Sequence, residues 1–126
     1  MEKSLAFCRD GLGLPTQGIV GKEFEHGAVA FFDLQGGLRF ALFSRSDLAL
    51  DANLPVAKAS ATEFTLTQNV NSKAEVDAMM AQAQKAGATI TDAAHDRFWG
   101  GYSGYFQDPD GHLWEIAWDP YTEVGK

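Results

Sequence analysis

The clearest periodic pattern in the chain lies at residues 73–86, where apolar side chains recur three and four positions apart. These side chains are Val76, Met79, Met80 and Ala83. Such spacing predicts a helix with one apolar face. Asn71 and Ser72 suit its beginning as capping residues, and Gly87 suits its end because glycine readily adopts the left-handed conformation found there.

Short apolar or alternating runs surround this helix and predict strands. They lie at residues 63–70, 89–92, 102–107 and 113–118. The last two strands are joined by residues 108–111, with Pro109 at the second position and Gly111 at the fourth, as in a type I turn. The second half of the chain therefore has the predicted order β-α-β-β-β.

The first half repeats most of this order. Residues 2–9 predict a helix, which Gly11 and Gly13 end, and residues 45–60 predict an irregular connector because they are rich in small residues. Strands are predicted at residues 16–24, 28–34 and 38–43. The order α-β-β-β is that of the second half without its opening strand, which indicates an internal repeat of about 60 residues within an α+β fold.

Length, charge and cysteine content limit the classes of function. The chain has 126 residues and a net charge of −7, so we expect one compact domain and neither a nucleic-acid nor a membrane partner, since no basic surface is available to bind phosphates. There is no run of about 20 apolar residues. Cys8 is the single cysteine, which excludes an internal disulfide and favours a reducing, cytoplasmic location.

One carboxylate lies within the otherwise apolar strand at residues 113–118. In a strand, alternate side chains share a face, so Glu115 lies on the face of Leu113 and Ala117, opposite the face of Trp114 and Trp118. A buried charge without partners is costly. Glu115 therefore either destabilises the strand or has a function.

Two segments of the sequence resemble one known family. The stretch EKSLAFCRDGLGL at residues 2–14 is similar to the first helix and turn of the glyoxalase/bleomycin-resistance/extradiol-dioxygenase (vicinal oxygen chelate) superfamily, and YFQDPDGHLWE at residues 105–115 is similar to its last hairpin. The resemblance implies one domain at residues 1–126, built from two βαβββ modules at 1–60 and 61–126, with curved mixed sheets enclosing a pocket. Many members form dimers, so a homodimer is expected.

The resemblance also exposes a departure at the amino terminus. Members open with a strand for which this sequence, beginning at Met1, shows no counterpart. Either the start has been placed at an internal methionine, or the protein functions without the strand. Loss of an edge strand leaves unpaired backbone groups on its neighbour. We therefore expect a partner chain, a rearranged segment or water to cover that edge.

Metal-dependent members of the superfamily place His, Gln or Glu at four strand positions around a divalent ion. The last position falls on Glu115, whereas two others fall at Ala41 and Thr65 and the fourth lies in the missing strand. A catalytic metal usually has at least three protein ligands. We therefore expect no metal and treat Glu115 as a solitary polar anchor, with Zn, Ni, Fe or Mn as the alternative cofactor.

The histidines and the glycine-rich stretch do not complete a catalytic set. His112 lies three residues before Glu115 and so points to the opposite face of the strand, which favours a local hydrogen bond at the turn. His26 and His95 are expected on the solvated surface. Residues 100–104 lack the Lys-Ser/Thr pair of phosphate-binding loops.

The remaining candidates describe an aromatic-rich binding pocket. Its expected ligand-binding residues are Glu115, Thr65, Thr67, Arg39, Phe98, Trp99 and Tyr102. Phe98 and Trp99 either form a flap that stacks on a flat or cationic ligand or plug the space between the modules, and the sequence leaves both open.

Two classes of function follow. The first is a metal-free protein that binds, and sequesters, a flat or cationic small molecule. The second is a glyoxalase-like lyase or dioxygenase whose site is completed by the missing strand or by a partner chain, with Glu115 as metal ligand or general base. A domain without a ligand is the third possibility.

Overall fold

The computed structural model describes residues 1–121; residues 122–126, at the end of the predicted second module, lie outside the described part. The chain divides into two compact units, Met1–Ala59 and Ser60–Lys126. Within the described residues, no helix combines the length and the apolarity needed to cross a bilayer.

The first unit consists of two helices and an antiparallel sheet with the strand order β1-β2-β3. Its elements are α1 (Glu2–Ala6), β1 (Thr16–Val20), β2 (Val29–Asp33), β3 (Arg39–Phe43) and α2 (Arg45–Ala52). The predicted first helix is confirmed, although it continues as a π-helical turn at Phe7–Gly11. The predicted hairpin of β2 and β3 is also confirmed, with Gly36 and Gly37 both at positive φ in its turn.

The prediction of an irregular connector at residues 45–60 is wrong for its first part, because Arg45–Ala52 forms α2, and is confirmed for residues 54–60, which form neither helix nor strand. The Asp47 N–H donates to the Ser44 hydroxyl at 3.0 Å, which caps the helix, and Asn53 ends it in the left-handed conformation. No residue of α2 is buried. The helix therefore packs no apolar side chain into a core, and hydrophobic periodicity alone gives no sign of it.

The second unit is a four-stranded sheet with one long helix, α3, and the strand order β4-β7-β6-β5. Its elements are β4 (Thr65–Val70), α3 (Lys73–Ala86), β5 (Thr89–Asp96), β6 (Tyr102–Gln107) and β7 (Leu113–Trp118). β4 and β7 are parallel, whereas β5–β6 and β6–β7 are antiparallel. The predicted bounds of α3, β6 and β7 are confirmed; β5 is longer than predicted and contains two register irregularities.

α3 packs against one face of this sheet. Met80 approaches Gly104 so closely that a methyl group at Gly104 would lie 2.7 Å from the Met80 Cε. The core on this side is formed by Val76, Ala83, Phe106, Trp114 and Ile116. The Phe106 and Trp114 rings are stacked, with their centroids 5.9 Å apart.

The α+β fold class is confirmed by two sheets of three and four strands. Within the described residues the first unit has the order α-β-β-β, with α2 following, and the second has β-α-β-β-β, as the sequence predicted. β3, the last strand of the first unit, therefore lacks the parallel neighbour that β4 provides to β7 in the second unit.

Candidate functional site

Four polar side chains form a row across the second sheet, on the face opposite α3. Thr67 of β4 pairs with Glu115 of β7, Glu115 pairs with Tyr105 of β6, and Tyr105 pairs with Asp92 of β5. Residues directly opposite in neighbouring strands share a face of the sheet. The pairing therefore places one hydroxyl, one phenol and two carboxylates side by side.

Glu115 has two neutral neighbours in this row. The Thr67 hydroxyl donates to Glu115 Oε1 at 3.1 Å, and Tyr105 lies directly opposite Glu115 on the neighbouring strand. Partial burial and the interaction with the Glu115 carboxylate raise the pKa of Tyr105 above its ordinary value. The expectation that Glu115 is a solitary anchor is therefore wrong.

Arg97 supports the other end of the row. Its guanidinium lies 3.0 Å from Asp92 Oδ2, donates to the Ser103 hydroxyl and carbonyl at 2.9 Å each, and lies 5.4 Å from the centroid of the Tyr105 ring. Hydrogen bonds from His95 and Arg97 lower the pKa of Asp92. These contacts fix the phenol that reaches Glu115.

Sequence reasoning missed Tyr105, Asp92 and Arg97. It ended the strand β5 at Asp92, whereas this strand extends to Asp96 through two irregularities. These irregularities bring Asp92 opposite Tyr105. No local pattern in the sequence predicts such irregularities. The expectation that His95 lies on the solvated surface is confirmed. The hairpin motif at residues 105–115 did contain Tyr105, directly opposite Glu115 in an antiparallel pair with a short turn.

The structure brings together three of the predicted ligand-binding residues, namely Thr65, Thr67 and Glu115. Thr65 and Thr67 lie on the Glu115 face, and the Thr65 hydroxyl donates to the Leu113 carbonyl at 3.0 Å. Tyr102 does not join them, because its phenol donates to Asp77 of α3 at 2.6 Å on the opposite face.

Phe98 and Trp99 lie in the loop between β5 and β6. The Arg97 N–H donates to the Gly101 carbonyl at 2.8 Å, which closes this loop. Phe98 is fully exposed, whereas the Trp99 ring packs so closely on Gly101 that no side chain fits there. Phe98 thus offers its ring to solvent, and a role as a flap over a ligand stays a prediction.

Arg39, the predicted binding residue of the first unit, lies at the start of β3. Its guanidinium lies 4.3 Å from the Phe31 ring centroid and 3.1 Å from Asp33 Oδ1. Ala41 follows on the same face, opposite Phe31. This face therefore combines one paired cation with an aromatic ring.

The donor set around Glu115 does not fit a divalent metal bound by three protein ligands. Its neighbours in the row are neutral hydroxyl groups, which are poor ligands compared with imidazole or carboxylate. One other group, Asp108, Asp110 and His112, has ligand atoms within 4.8 Å of one another.

That second group is explained by the turn between β6 and β7. Asp108 accepts hydrogen bonds from the Asp110 and His112 N–H groups and from the Trp114 indole, each at 3.0 Å. His112 Nδ1 lies 3.6 Å from Asp108 Oδ2, too far for a hydrogen bond, so the local hydrogen bond of this histidine in the turn is made by its N–H. Asp108 is therefore already used as the acceptor that organises the turn.

Comparisons with known proteins agree with this architecture. The model of the Glyoxalase/Bleomycin resistance protein/Dioxygenase superfamily matches residues 1–116. The structure is similar to that of a glyoxalase-related enzyme from Fulvimarina pelagi, with 28% identity and a TM-score of 0.80 over 99% of this chain and 84% of that one. It is also similar to lactoylglutathione lyase from Agrobacterium tumefaciens, with 25% identity and a TM-score of 0.67 over 98% and 89% of the two chains.

Two further similarities are more limited. A fosfomycin resistance protein from Listeria monocytogenes shares the fold at 20% identity, with a TM-score of 0.67 over 96% of this chain and 85% of that one. An uncharacterized protein from Mycobacterium bovis is 42% identical over 50 residues, which are 40% of this chain and 32% of that protein. The matching stretch thus spans about a third of that curated relative.

Proposed function

Because the chain belongs to the glyoxalase/bleomycin resistance protein/dioxygenase superfamily, we propose that it binds a small organic molecule on the Glu115 face of its second sheet and sequesters it without a catalytic metal. The ligand class that suits this face is a flat compound that is cationic or rich in N–H donors. Sequestration requires binding alone, so it needs no reactive group beyond those of the row.

The row of Thr67, Glu115 and Tyr105 carries this proposal. The Thr67 hydroxyl orients the Glu115 carboxylate, and a carboxylate has about four acceptor positions, so it can accept further donors from a ligand. Among the described residues no cationic side chain forms an ion pair with Glu115, and its charge is therefore available to a ligand.

The surroundings favour the same ligand class. The net charge of −7 attracts cations to the molecule as a whole. The half-buried Tyr105 ring beside Glu115 provides an aromatic surface. A planar cation can place its ring against an aromatic side chain and its N–H group on the carboxylate.

The test is binding of planar cations, such as the dye proflavine, measured by calorimetry and by the shift in Tm. Glu115→Gln keeps the shape and removes the charge, and we expect it to weaken binding about tenfold or more, since hydrogen bonds to charged groups contribute about 1.5–3 kcal/mol. Glu63→Gln, an exposed position outside the row, is the matched control for net charge. Equal affinity of both variants and the unchanged protein would contradict the proposal.

A metal-dependent lyase or dioxygenase is the second candidate, with Glu115 as ligand or general base and the site completed by a further strand or a partner chain. The similarity to lactoylglutathione lyase favours it. Protein purified without chelator and titrated with Ni, Zn, Mn and Fe distinguishes the two. Stoichiometric metal that is lost in Glu115→Ala would support the enzyme and overturn metal-free sequestration.

A further inference from the structure

The first unit contains a groove formed entirely by its own residues. It has a volume of about 720 Å³, within the range of small-molecule sites. The outward face of β2 and β3 forms one wall and α2 forms another. Its apolar lining consists of Val29, Phe31, Phe43, Leu48 and Leu50. Leu48 and Leu50 are more than half exposed, and apolar side chains left open around a concavity are typical of a binding surface.

A histidine–aspartate pair lies at the edge of this groove. His26 Nδ1 is 2.6 Å from Asp47 Oδ1, although the two residues are 21 positions apart in the chain. The Asp47 side chain is only 18% exposed. The Ser44 cap and the His26 hydrogen bond lower the pKa of Asp47, so this carboxylate is ionised at neutral pH.

The loop that presents His26 holds it in an unusual conformation. His26 has a φ of 61°, in the left-handed region, which costs non-glycine residues about 1–2 kcal/mol. The loop is fixed by hydrogen bonds from the Phe24 N–H to the Gly21 carbonyl at 3.1 Å and from the Gly27 N–H to the Phe24 carbonyl at 3.2 Å. Unusual backbone conformations of this kind persist where surrounding contacts impose them, and they concentrate at binding sites.

The charges around the groove are predominantly acidic. Asp47 and Asp51 line it, and Glu25 Oε1 lies 3.3 Å from His26 Nε2. His26 is the only basic side chain among the lining residues, and its Nδ1 is already engaged by Asp47. An apolar wall with carboxylates at its edge complements a ligand that has a hydrophobic body and a positively charged end.

We propose that this groove binds the cationic nitrogen of a small amphiphilic compound, with Asp47 and Asp51 as the carboxylates that recognise it and His26 as the residue that holds Asp47 in position. The inference rests on the proposed binding function and specifies it further. It adds a charge-recognising surface in the first unit to the Glu115 face of the second unit.

Three probes of matched size test the proposal: benzyltrimethylammonium, benzyl alcohol and phenylacetate, which are cationic, neutral and anionic. The readout is the imidazole signals of the three histidines in ¹H–¹⁵N spectra, assigned with His→Asn variants. Asparagine suits position 26 because it tolerates the left-handed conformation. We expect the cation alone to shift the His26 signal saturably, while that of His112 stays in place.

Two variants test the carboxylates. Asp47→Asn and Asp51→Asn should each weaken cation binding about fivefold or more, as expected for loss of a partly exposed charge pair. Asp51→Asn remains informative if Asp47→Asn disturbs α2, since Asp51 is exposed and lies beyond its first turn. Asp10→Asn, at an exposed position paired with Arg9, is the control with the same change in charge.

The outcomes separate this inference from the proposed function. Equal binding of phenylacetate, or unchanged affinity in both Asp47→Asn and Asp51→Asn, overturns the inference. If Glu115→Gln abolishes cation binding and those two variants do not, the inference fails and the proposed function stands. If none of the three probes shifts His26, the inference fails, and proflavine binding to the Glu115 face decides the proposed function separately.

Discussion

Tyr105 links the two halves of the polar row, because its phenol meets Glu115 and its ring lies under the Arg97 guanidinium. Glu115 and Arg97 shift the pKa of the Tyr105 phenol in opposite directions. Partial burial and the Glu115 charge raise the pKa of Tyr105, whereas the Arg97 charge lowers it by a smaller amount. The pKa of the phenol therefore responds in part to the charge at Glu115.

Glu115→Gln should lower the pKa of Tyr105 toward its ordinary value of 10.0, because the charge is removed while burial remains. A raised pKa in the folded state means that stability is lost as pH rises from the unfolded pKa through the folded one. The variant should therefore lose less stability in this alkaline range. ¹³Cζ-tyrosine NMR follows Tyr105 separately from Tyr102 and Tyr121. The same pKa of Tyr105 in Glu115→Gln and in the unchanged protein would contradict the interaction between Tyr105 and Glu115.

Gly101 lies directly beneath Trp99, so Gly101→Ala should destabilise the protein by about 1–3 kcal/mol through overpacking. Gly111→Ala is the matched control, since a methyl group there meets no atom within 4 Å and the cost of about 1 kcal/mol comes from its φ of 85° alone. Urea denaturation gives both values. Trp99 fluorescence should change only in Gly101→Ala.

Part of the site follows from the sequence and part does not. Thr65, Thr67 and Glu115 share a face because side chains alternate along strands, and the sequence suffices for that conclusion. The contact of Thr67 with Glu115 also requires the parallel register of β4 and β7, which joins segments 48 residues apart. Such a register depends on tertiary pairing, so reasoning from the sequence left Glu115 without partners.

The elements differ in how visible they are in the sequence. The bounds of α3, β6 and β7 are predictable to the residue, because buried apolar positions repeat along these elements. α2 was missed because it buries nothing and depends on the Ser44 cap and on Asn53 at its end. Elements held by packing are therefore predictable from periodicity, whereas elements held by local hydrogen bonds are not.

The two capped helices should respond differently to loss of their caps. Ser72→Ala removes the acceptor for the Glu75 N–H and should lower the free energy of unfolding by about 1 kcal/mol, because α3 forms part of the core. Ser44→Ala should instead let α2 unfold locally. Amide exchange at residues 45–52 should then become faster, with little change in the urea midpoint of the whole protein. Ser60→Ala, on an exposed loop, is the control. Equal loss of global stability in the two helix variants would contradict this difference.

At the scale of the molecule, both units leave large apolar side chains open to solvent. Phe24 and Leu54 in the first unit and Phe64 in the second are each more than 60% exposed. Such side chains are available for contact with another chain. Within residues 1–121, the outer edge of β3 has no strand partner, and an open edge of this kind can pair with another chain, which supports the proposal that the protein forms a homodimer.

If the chain forms a dimer, its Tm should rise with protein concentration, because association stabilises the folded state by mass action. Sedimentation equilibrium over the same concentration range measures the mass directly. Added salt should strengthen an apolar interface between chains that each carry a charge of −7, since it screens their repulsion. A constant monomer mass at all concentrations would contradict the dimer.

The parallel pairing of β4 with β7 also has a consequence for the order of folding. Every other strand pair joins consecutive strands, whereas this one closes a loop of about 48 residues and bears the larger entropic cost. We therefore expect β4 to dock late, after the rate-limiting barrier, so that Thr67→Val accelerates unfolding in stopped-flow experiments and leaves the refolding rate nearly unchanged. The Glu115 face would then be the last part of the second sheet to form and the first to open.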